Sequence, residues 1–443
     1  SCHRPGLAPV RLDQVRDLFD NDPMPGDLAW TAQQRTESPD STRSVRLHNG
    51  TLTGELFASE KEPKGFCCST AQSGFRALSH ALFPKRNIYY SAGFNFEHIL
   101  SSRAVDWDPA LPGGDFSPRR EASTLKAYSD SSAGLFWSAA NSRWGADSEM
   151  KFDMDAEGHV DLQFRTAFRT TPEPDYLLYM WASYMQSPRA GTIQFWGVDD
   201  VVRSWLGAVG GNVGWVRYEA RRAADASEMT RGIIPFLGAP ELSTERGIGR
   251  LNFEGDGRCA FLLPFFFGVV DGDGDLSTAQ DDMAYIMMFD QAEHIRFAMW
   301  DFSKGSGHPV WDWQYVLREP TPQVTYGYRA RLVYKPCQGP DDAVAEYVRW
   351  TKSLGERRHH LKIDIVPLES ASPFPRDCEG AYGDKVQVYF GLEPRPGWTF
   401  DHWEGNVTYK QRRFTRIEMT RDETVRAVCR RTHLKGGHER TQP

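Results

Sequence analysis

The chain has 443 residues, a net charge of -7 and a pI near 6.0, with 40 % apolar and 25 % charged residues. Its length exceeds what one hydrophobic core usually serves, so two domains are expected, and its acidic balance supplies no basic face of the kind nucleic acid requires. The longest apolar run, Cys259 to Val270, is interrupted by Pro264 and is shorter than the roughly 20 residues of a membrane-crossing helix, so no transmembrane span is predicted.

Ser1-Cys2 followed by His3-Arg4-Pro5-Gly6 looks like the end of a bacterial lipoprotein signal, with Cys2 as a lipid anchor. That predicts an exported chain, periplasmic, cell-surface or extracellular. The other six cysteines, at 67, 68, 259, 337, 378 and 429, form no C-x-x-C pair and no Cys/His cluster at zinc-like spacing. Their even number suits disulfides in an oxidising compartment, with free buried thiols as the alternative. Residues 1–65 are polar and rich in Pro, Ser and charge, with one short helical candidate at Leu12 to Phe19, and are expected to form an N-terminal arm laid on the main domain.

Residues 66–355 carry short β-prone runs separated by Gly, Pro, Asp and Asn, among them Asn87 to Tyr90, His159 to Ala167, Tyr176 to Tyr184, Ala260 to Val270, Ile295 to Asp301 and Tyr326 to Tyr334. Many strands and few helical periods predict a large antiparallel β-sandwich. Val160, Leu162 and Phe164 alternate with Asp161, Gln163 and Arg165, which marks one buried and one wet face. Phe261 to Phe267 is apolar on both faces and belongs between stacked layers. Gly207 to Gly214 lacks the strand, Lys and helix of a phosphate loop and is expected to be a plain loop, which disfavours nucleotide binding. A helix is predicted over Asp341 to Leu354, with an acidic first turn, then a charged linker over 355–360. Alternation resumes at Leu361 and opens a small C-terminal β module, residues 361–430, ahead of a tail over 431–443.

Three segments carry side chains suited to chemistry. The densest is Met299 to Tyr315, with Trp300, Asp301, His308, Trp311, Asp312, Trp313 and Gln314 around a Ser-Lys-Gly-Ser-Gly loop. If 311–315 is a strand, Trp311, Trp313 and Tyr315 share one face and Asp312 and Gln314 the other. Ring faces beside carboxylates and amides suit a sugar, and the 14 Trp and 16 Tyr of the chain fit that use or an aromatic core equally. The second segment is Arg86 to His98, where Asn95, Glu97 and Tyr89 are candidates for one face and Glu97 and His98 for acid–base work. In the third, Asp271, Asp273, Asp275 and Asp282 occupy positions 1, 3, 5 and 12 of a calcium-type loop, but Leu276 replaces the turn glycine and Asp replaces the bidentate Glu. A structural Ca2+ and a solvated acidic turn are both open there. No Gly-x-Ser-x-Gly signature appears, which disfavours a serine hydrolase.

Two resemblances follow from particular residues. Gly383-Asp-Lys-Val-Gln-Val, Pro396-Gly-Trp-Thr-Phe-Asp-His-Trp-Glu-Gly405, Phe414 to Met419 and Asp422 to Val428 resemble the bacterial InlB B-repeat module. That resemblance implies export and a spacer or binding role, with Trp398, Phe400 and Trp403 as the core. A Cys378–Cys429 bridge would staple so small a module. Tyr179 to Tyr184, Ile193 to Gly197, Phe289-Asp290, Ile295 to Phe297 and Pro309 to Gln314 give the main domain a resemblance to galactose-mutarotase-like, super-sandwich bacterial proteins. It implies polysaccharide chemistry by analogy of fold.

The expected activity is cleavage of glycosidic bonds, with carbohydrate as partner. A glycoside hydrolase would use two carboxylates from Glu97, Asp301 and Asp312, and a polysaccharide lyase would use His98 or His308 as base with Arg296 as cation. Asn95, Trp181, Trp196, Arg296, Trp300, Trp311, Trp313 and Gln314 are the candidate sugar contacts. The competing class is a non-catalytic glycan-binding or cell-surface protein, which would show aromatic platforms without a buried, shifted acid.

Overall fold

The structure, a computed structural model, describes residues 43–60, 73–101, 118, 119, 121–154, 158–172, 176–186, 188, 191–204, 207–219, 221, 222, 230–239, 242, 258–301 and 308–432. Cys2, Cys67, Cys68, the helical candidate at Leu12 to Phe19 and residues 433–443 of the tail lie outside them. The chain divides into two compact units, Ser1–Cys337 and Gln338–Pro443.

The larger unit is two stacked antiparallel sheets, and it is mainly β as the alternating pattern predicts. Strands β1 (Ser44–His48), β2 (Leu52–Phe57), β3 (Gly74–His80), β4 (Tyr89–Ser101), β9 (Tyr176–Met185), β18 (Val310–Arg318), β17 (Ile295–Asp301), β13 (Thr230–Pro235) and β12 (Arg221–Arg222) build a nine-stranded sheet in that spatial order. The opposing ten-stranded sheet runs β11 (Gly207–Tyr218), β10 (Ile193–Ser204), β15 (Phe265–Asp271), β16 (Asp282–Phe289), β19 (Thr325–Pro336), β8 (His159–Phe168), β7 (Ala146–Asp153), β6 (Ser132–Trp137) and β5 (Thr124–Ala127), with the two-residue β14 (Ala260–Phe261) pairing β10.

Period-two sequence becomes period-two burial. Along β8, Val160, Leu162 and Phe164 are buried while Asp161, Gln163 and Arg165 are half-buried, and Asp161 and Arg165 carry ion pairs with Arg331 and Glu149. The central strand β15 is buried almost throughout, as a strand between two neighbours and under a second layer must be. Pro264 separates β14 from β15, dividing the single run expected over Ala260 to Val270.

The interior between the sheets is aromatic. Trp181 stacks between Phe96, at 5.0 Å, and Trp313, at 6.3 Å, all on the nine-stranded sheet. Phe164 and Tyr328 meet this group from the ten-stranded sheet, and the Trp313 indole N–H donates to the Tyr328 hydroxyl at 2.7 Å. Space is fitted to the rings: a Cβ on Gly268 would lie 2.2 Å from the Trp311 ring, so only glycine lets that indole lie against β15.

Two expectations change here. Residues 44–57, assigned to an arm, are the first two strands of the nine-stranded sheet. Gly207 to Gly214, expected as a loop, opens β11, which pairs with β10 from Ile193↔Tyr218 to Ser204↔Gly207. Small residues are tolerated there because β11 is the last strand of its sheet.

The smaller unit begins with helix α1 (Pro340–Ser353), close to the predicted span, with Pro340 in the first turn and Asp341 and Asp342 at its positive end. The helix therefore belongs to the second unit, so the division falls about one helix earlier than the expected boundary near 355–361. A four-stranded sheet runs Gly380–Gly383, Arg358–Val366, Glu423–Arg431, Trp398–Glu404, its two middle strands parallel. A three-stranded antiparallel sheet joins Ala371–Phe374, Val386–Pro394 and Phe414–Met419. Trp403 is in the core and donates its indole N–H to the Arg412 carbonyl at 2.9 Å, while Trp398 and Phe400 pack at the core's edge. Cys378 and Cys429 are free thiols in this core, so the expected 378–429 bridge is not formed. Both behave as small apolar side chains, a common fate of buried cysteine.

Candidate active site

The outer face of the nine-stranded sheet, turned away from the ten-stranded sheet, gathers the polar groups. In β18, Trp311, Trp313 and Tyr315 point inward, so Val310, Asp312, Gln314 and Val316 point outward. In β9 the outward set is Met180, Ala182 and Tyr184, and in β17 it is Arg296, Ala298 and Trp300, the register partners of Gln314, Asp312 and Val310.

Strand β4 breaks the alternation. Phe96 pairs with Trp181 and His98 with Met180, so Glu97 is an extra residue between two consecutive partners. Such a bulge re-aims side chains. Here it turns both Glu97 and His98 to the outer face, with His98 Nε2 3.3 Å from Glu97 Oε1.

Glu97 Oε1 is heavily engaged. It accepts from the Tyr184 hydroxyl at 3.1 Å and lies 3.8 Å from Arg119 Nη1, which itself donates to the Tyr184 hydroxyl at 3.4 Å. The other oxygen, Oε2, is buried with no hydrogen-bond partner. Burial raises the pKa of a carboxyl, but the hydrogen bond and charge of His98, then Arg119 and the Tyr184 hydroxyl, outweigh it and hold Glu97 below its ordinary value.

Asp312 goes the other way. Burial, then the charge on Glu97, push its pKa well above the ordinary carboxylate range, and one backbone N–H, from Ser183 to Oδ1 at 3.1 Å, opposes them only in part. Its Oδ2 is likewise buried without a partner, as is Oδ1 of Asn95. Each unsatisfied buried acceptor costs about 1–3 kcal/mol, so three on one sheet face are a standing cost that a ligand's donors would remove. Burial also lowers the Arg296 guanidinium to about 9.

The sheet thus brings together Asn95, Glu97, His98, Arg296, Trp300, Asp312 and Gln314 from the sequence candidates. It separates the rest. Trp181, Trp311 and Trp313 are fully buried between the sheets and hold the sandwich together, because the aromatic half of the 311–315 alternation faces the core. Trp196 lies on the outer side of the other sheet, edge-on to Trp215 at 5.7 Å, since its neighbour Phe195 points inward at Phe297. Tyr89 points into the interior, 3.4 Å from the Tyr285 hydroxyl, and leaves the face shared by Asn95 and Glu97. Asp301 ends β17, and its side chain falls outside the described residues. His308 stacks on Tyr90 with ring centroids 3.9 Å apart.

The acidic loop joins β15 to β16 as a hairpin whose carboxylates cap their own backbone: Asp271 accepts from the Gly274 N–H, Asp273 from Asp275 at 2.7 Å, and Asp275 from Ser277 at 3.0 Å. Asp271 and Asp282 are register partners across the strand pair. Among the described residues no three His, Cys, Asp or Glu side chains are grouped as a metal site.

Arg119, Tyr184 and Ser183 are site residues that the sequence did not single out. Tyr184 has the outward parity of its strand, which is a usable signal once Trp181 is known to face inward. Arg119 sits in no periodic pattern.

Fold and site define a two-sheet β-sandwich with two buried carboxyl groups, shifted in opposite directions, on the outer face of one sheet. No protein-family model matches the chain, so the InlB-type resemblance of the small unit finds no support there, and no curated protein matches it. Among solved structures, it is similar to an α-N-acetylgalactosaminidase from Bifidobacterium bifidum, at 12 % identity and TM-score 0.36 over 74 % of this chain and 44 % of that one. A Caenorhabditis elegans aldose epimerase homologue matches at 10 % and 0.29 over 67 % and 100 %, and an Aspergillus nidulans amine oxidase at 8 % and 0.31 over 72 % and 56 %. The chemistry is therefore argued from this chain's own residues.

Proposed function

We propose that the protein is a carbohydrate-active enzyme that cleaves glycosidic bonds at the outer face of the nine-stranded sheet, with Asp312 as general acid and Glu97 as base or nucleophile. One observation carries the reading: two carboxyl groups buried on one sheet face are shifted in opposite directions from their ordinary values, each with one oxygen lacking a donor. Pairs whose surroundings drive their pKa values apart are the usual mark of an acid and a base working together. A ligand rich in hydroxyl groups supplies the donors that Glu97 Oε2, Asp312 Oδ2 and Asn95 Oδ1 lack, on the face where Trp300, Met180 and Ala182 form a buried apolar cluster.

A protonated acid is what a leaving sugar oxygen needs, and an ionised carboxylate is what activates water or attacks the anomeric carbon. The test is incubation with a panel of neutral, amino-sugar and uronic-acid glycans. New reducing ends are expected. Unsaturated, ultraviolet-absorbing products would mark a lyase instead, binding without turnover a glycan-binding protein, and neither binding nor turnover with any glycan would end the carbohydrate reading. Export, with lipid on Cys2, is part of the same proposal and is checked by metabolic labelling, with a fatty acid, of cells that produce the protein.

A further inference from the structure

Strand β4 has a second irregularity, at its start. Between the pairs Tyr89↔Met185 and Phe94↔Ser183, residues 90–93 stand opposite Tyr184 alone. Gly93 makes this possible: it sits at φ +67, and a Cβ there would lie 2.2 Å from the Phe75 carbonyl oxygen. The excursion is thus set by backbone packing. It lifts Tyr90 out of the sheet, where the ring is 45 % exposed.

Tyr90 is not a loose side chain. The His308 ring lies against it, 3.9 Å away and within 2° of parallel. The two come from either side of β9, whose end is held by Met185 N–H to the Pro309 carbonyl, 3.0 Å, and Gln186 N–H to the Ile88 carbonyl, 2.8 Å. Trp311, three residues after His308, points into the interior, and the Met185 N–H on the Pro309 carbonyl continues the register of β9 with β18 past Val310, so His308, and with it the Tyr90 stacked on it, falls on the same outer face as Glu97 and Asp312. Along β18 the outward positions run Gln314, Asp312 and Val310, and His308 lies two residues before the strand begins. At the extended-chain rise, His308 stands about 13 Å from Asp312, further than one sugar ring spans.

We propose that Tyr90, backed by His308, is a stacking platform for a sugar unit further along the chain than the unit whose bond is broken at Glu97 and Asp312. The ligand is then a chain of several sugar units and not a free monosaccharide. This rests on the carbohydrate reading of the site above. An aromatic face held flat by a second ring loses little freedom when a pyranose stacks on it, and the exposed side of Tyr90 is the open side of the pair.

The experiment measures binding of soluble neutral, hexosamine and hexuronate polysaccharides, and of their mono- and disaccharides, to the full chain, to Tyr90→Ala and to Tyr90→Phe, with thermal melting of each as a check on folding. Tyr90→Ala should weaken the polymer that binds by on the order of tenfold, Tyr90→Phe should keep its affinity, and the monosaccharide should bind the three proteins alike. Equal polymer affinity in a folded Tyr90→Ala protein would overturn the platform while leaving Glu97 and Asp312 in place. An equal loss for monosaccharide and polymer would put Tyr90 in the reacting unit's own site and overturn the chain-length inference. If the unaltered protein binds no glycan, the functional reading itself fails and the platform with it.

Discussion

Glu97 and Asp312 are shifted in opposite directions: burial, then the charge on Glu97, raises Asp312, while His98, Arg119 and Tyr184 hold Glu97 below its ordinary value. The asymmetry comes from the partners. Glu97 has an imidazole, a hydroxyl and a guanidinium around one oxygen, and Asp312 has one backbone N–H.

The first prediction concerns turnover. Glu97→Gln and Asp312→Asn should each lower kcat by about 10²- to 10⁴-fold, the range expected for loss of a positioned acid or base. Asp312→Asn should leave folding nearly intact, because the amide oxygen still accepts from the Ser183 N–H. Initial rates and melting curves check both, and full activity in either variant would remove that residue from the mechanism.

The pH dependence follows from the same two groups. Activity requires Glu97 ionised and Asp312 protonated, so the rate should be bell-shaped, with an acid limb below the ordinary 4.5 of Glu97 and an alkaline limb well above the ordinary 3.8 of Asp312. His98→Ala removes the largest stabiliser of the Glu97 charge and should move the acid limb upward. An acid limb unmoved in His98→Ala would mean that another group titrates there.

Stability should respond to pH with opposite signs at the two sites. Asp312 keeps its proton on folding, so its contribution is full below about 3.8 and is lost as pH rises toward its folded value, by about 1.4 kcal/mol per pH unit. Glu97 contributes above about 4.5 and loses that contribution as pH falls through its lowered folded value. Denaturant midpoints of Asp312→Asn should therefore fall less steeply with rising pH than those of the unaltered chain.

Much of this arrangement was legible in the sequence, and its limits are physical. Asp312 and Gln314 opposite Trp311 and Trp313 follow from strand alternation, but alternation does not say which face is the core. Contacts with Tyr285 and Tyr328 of the opposing sheet assign the indoles to the core and leave the equally buried polar pair on the other face. The placement of His98 beside Glu97 was not legible, because a bulge depends on the register with β9 and leaves no mark in one strand's composition. Arg119 reaches the site from an isolated bridge, Pro118 with His98, that no local pattern announces.

If the indoles are core, their substitution should cost stability and leave glycan affinity alone. Trp313→Phe removes the donor to the Tyr328 hydroxyl and should destabilise by about 1–3 kcal/mol. Gly268→Ala forces a methyl into the Trp311 ring and should cost a similar amount through overpacking. Denaturant titration beside glycan binding separates the two readings, and a selective loss of binding would return these tryptophans to the site.

The thiols of the small unit offer an independent check on its packing. Cys378 and Cys429 share one apolar core without a bond, and burial, followed by the Glu379 charge, pushes the Cys378 thiol up to about 12, where little reactive thiolate forms near neutral pH. Reductant should therefore leave the unfolding of the small unit unchanged, and a thiol reagent should label Cys378 only once the unit opens. A stapled module would behave otherwise, losing roughly 2–5 kcal/mol on reduction. Invariance to reductant would show that Phe390, Trp403 and Ile417, with the parallel pairing of its two middle strands, suffice to hold so small a core together.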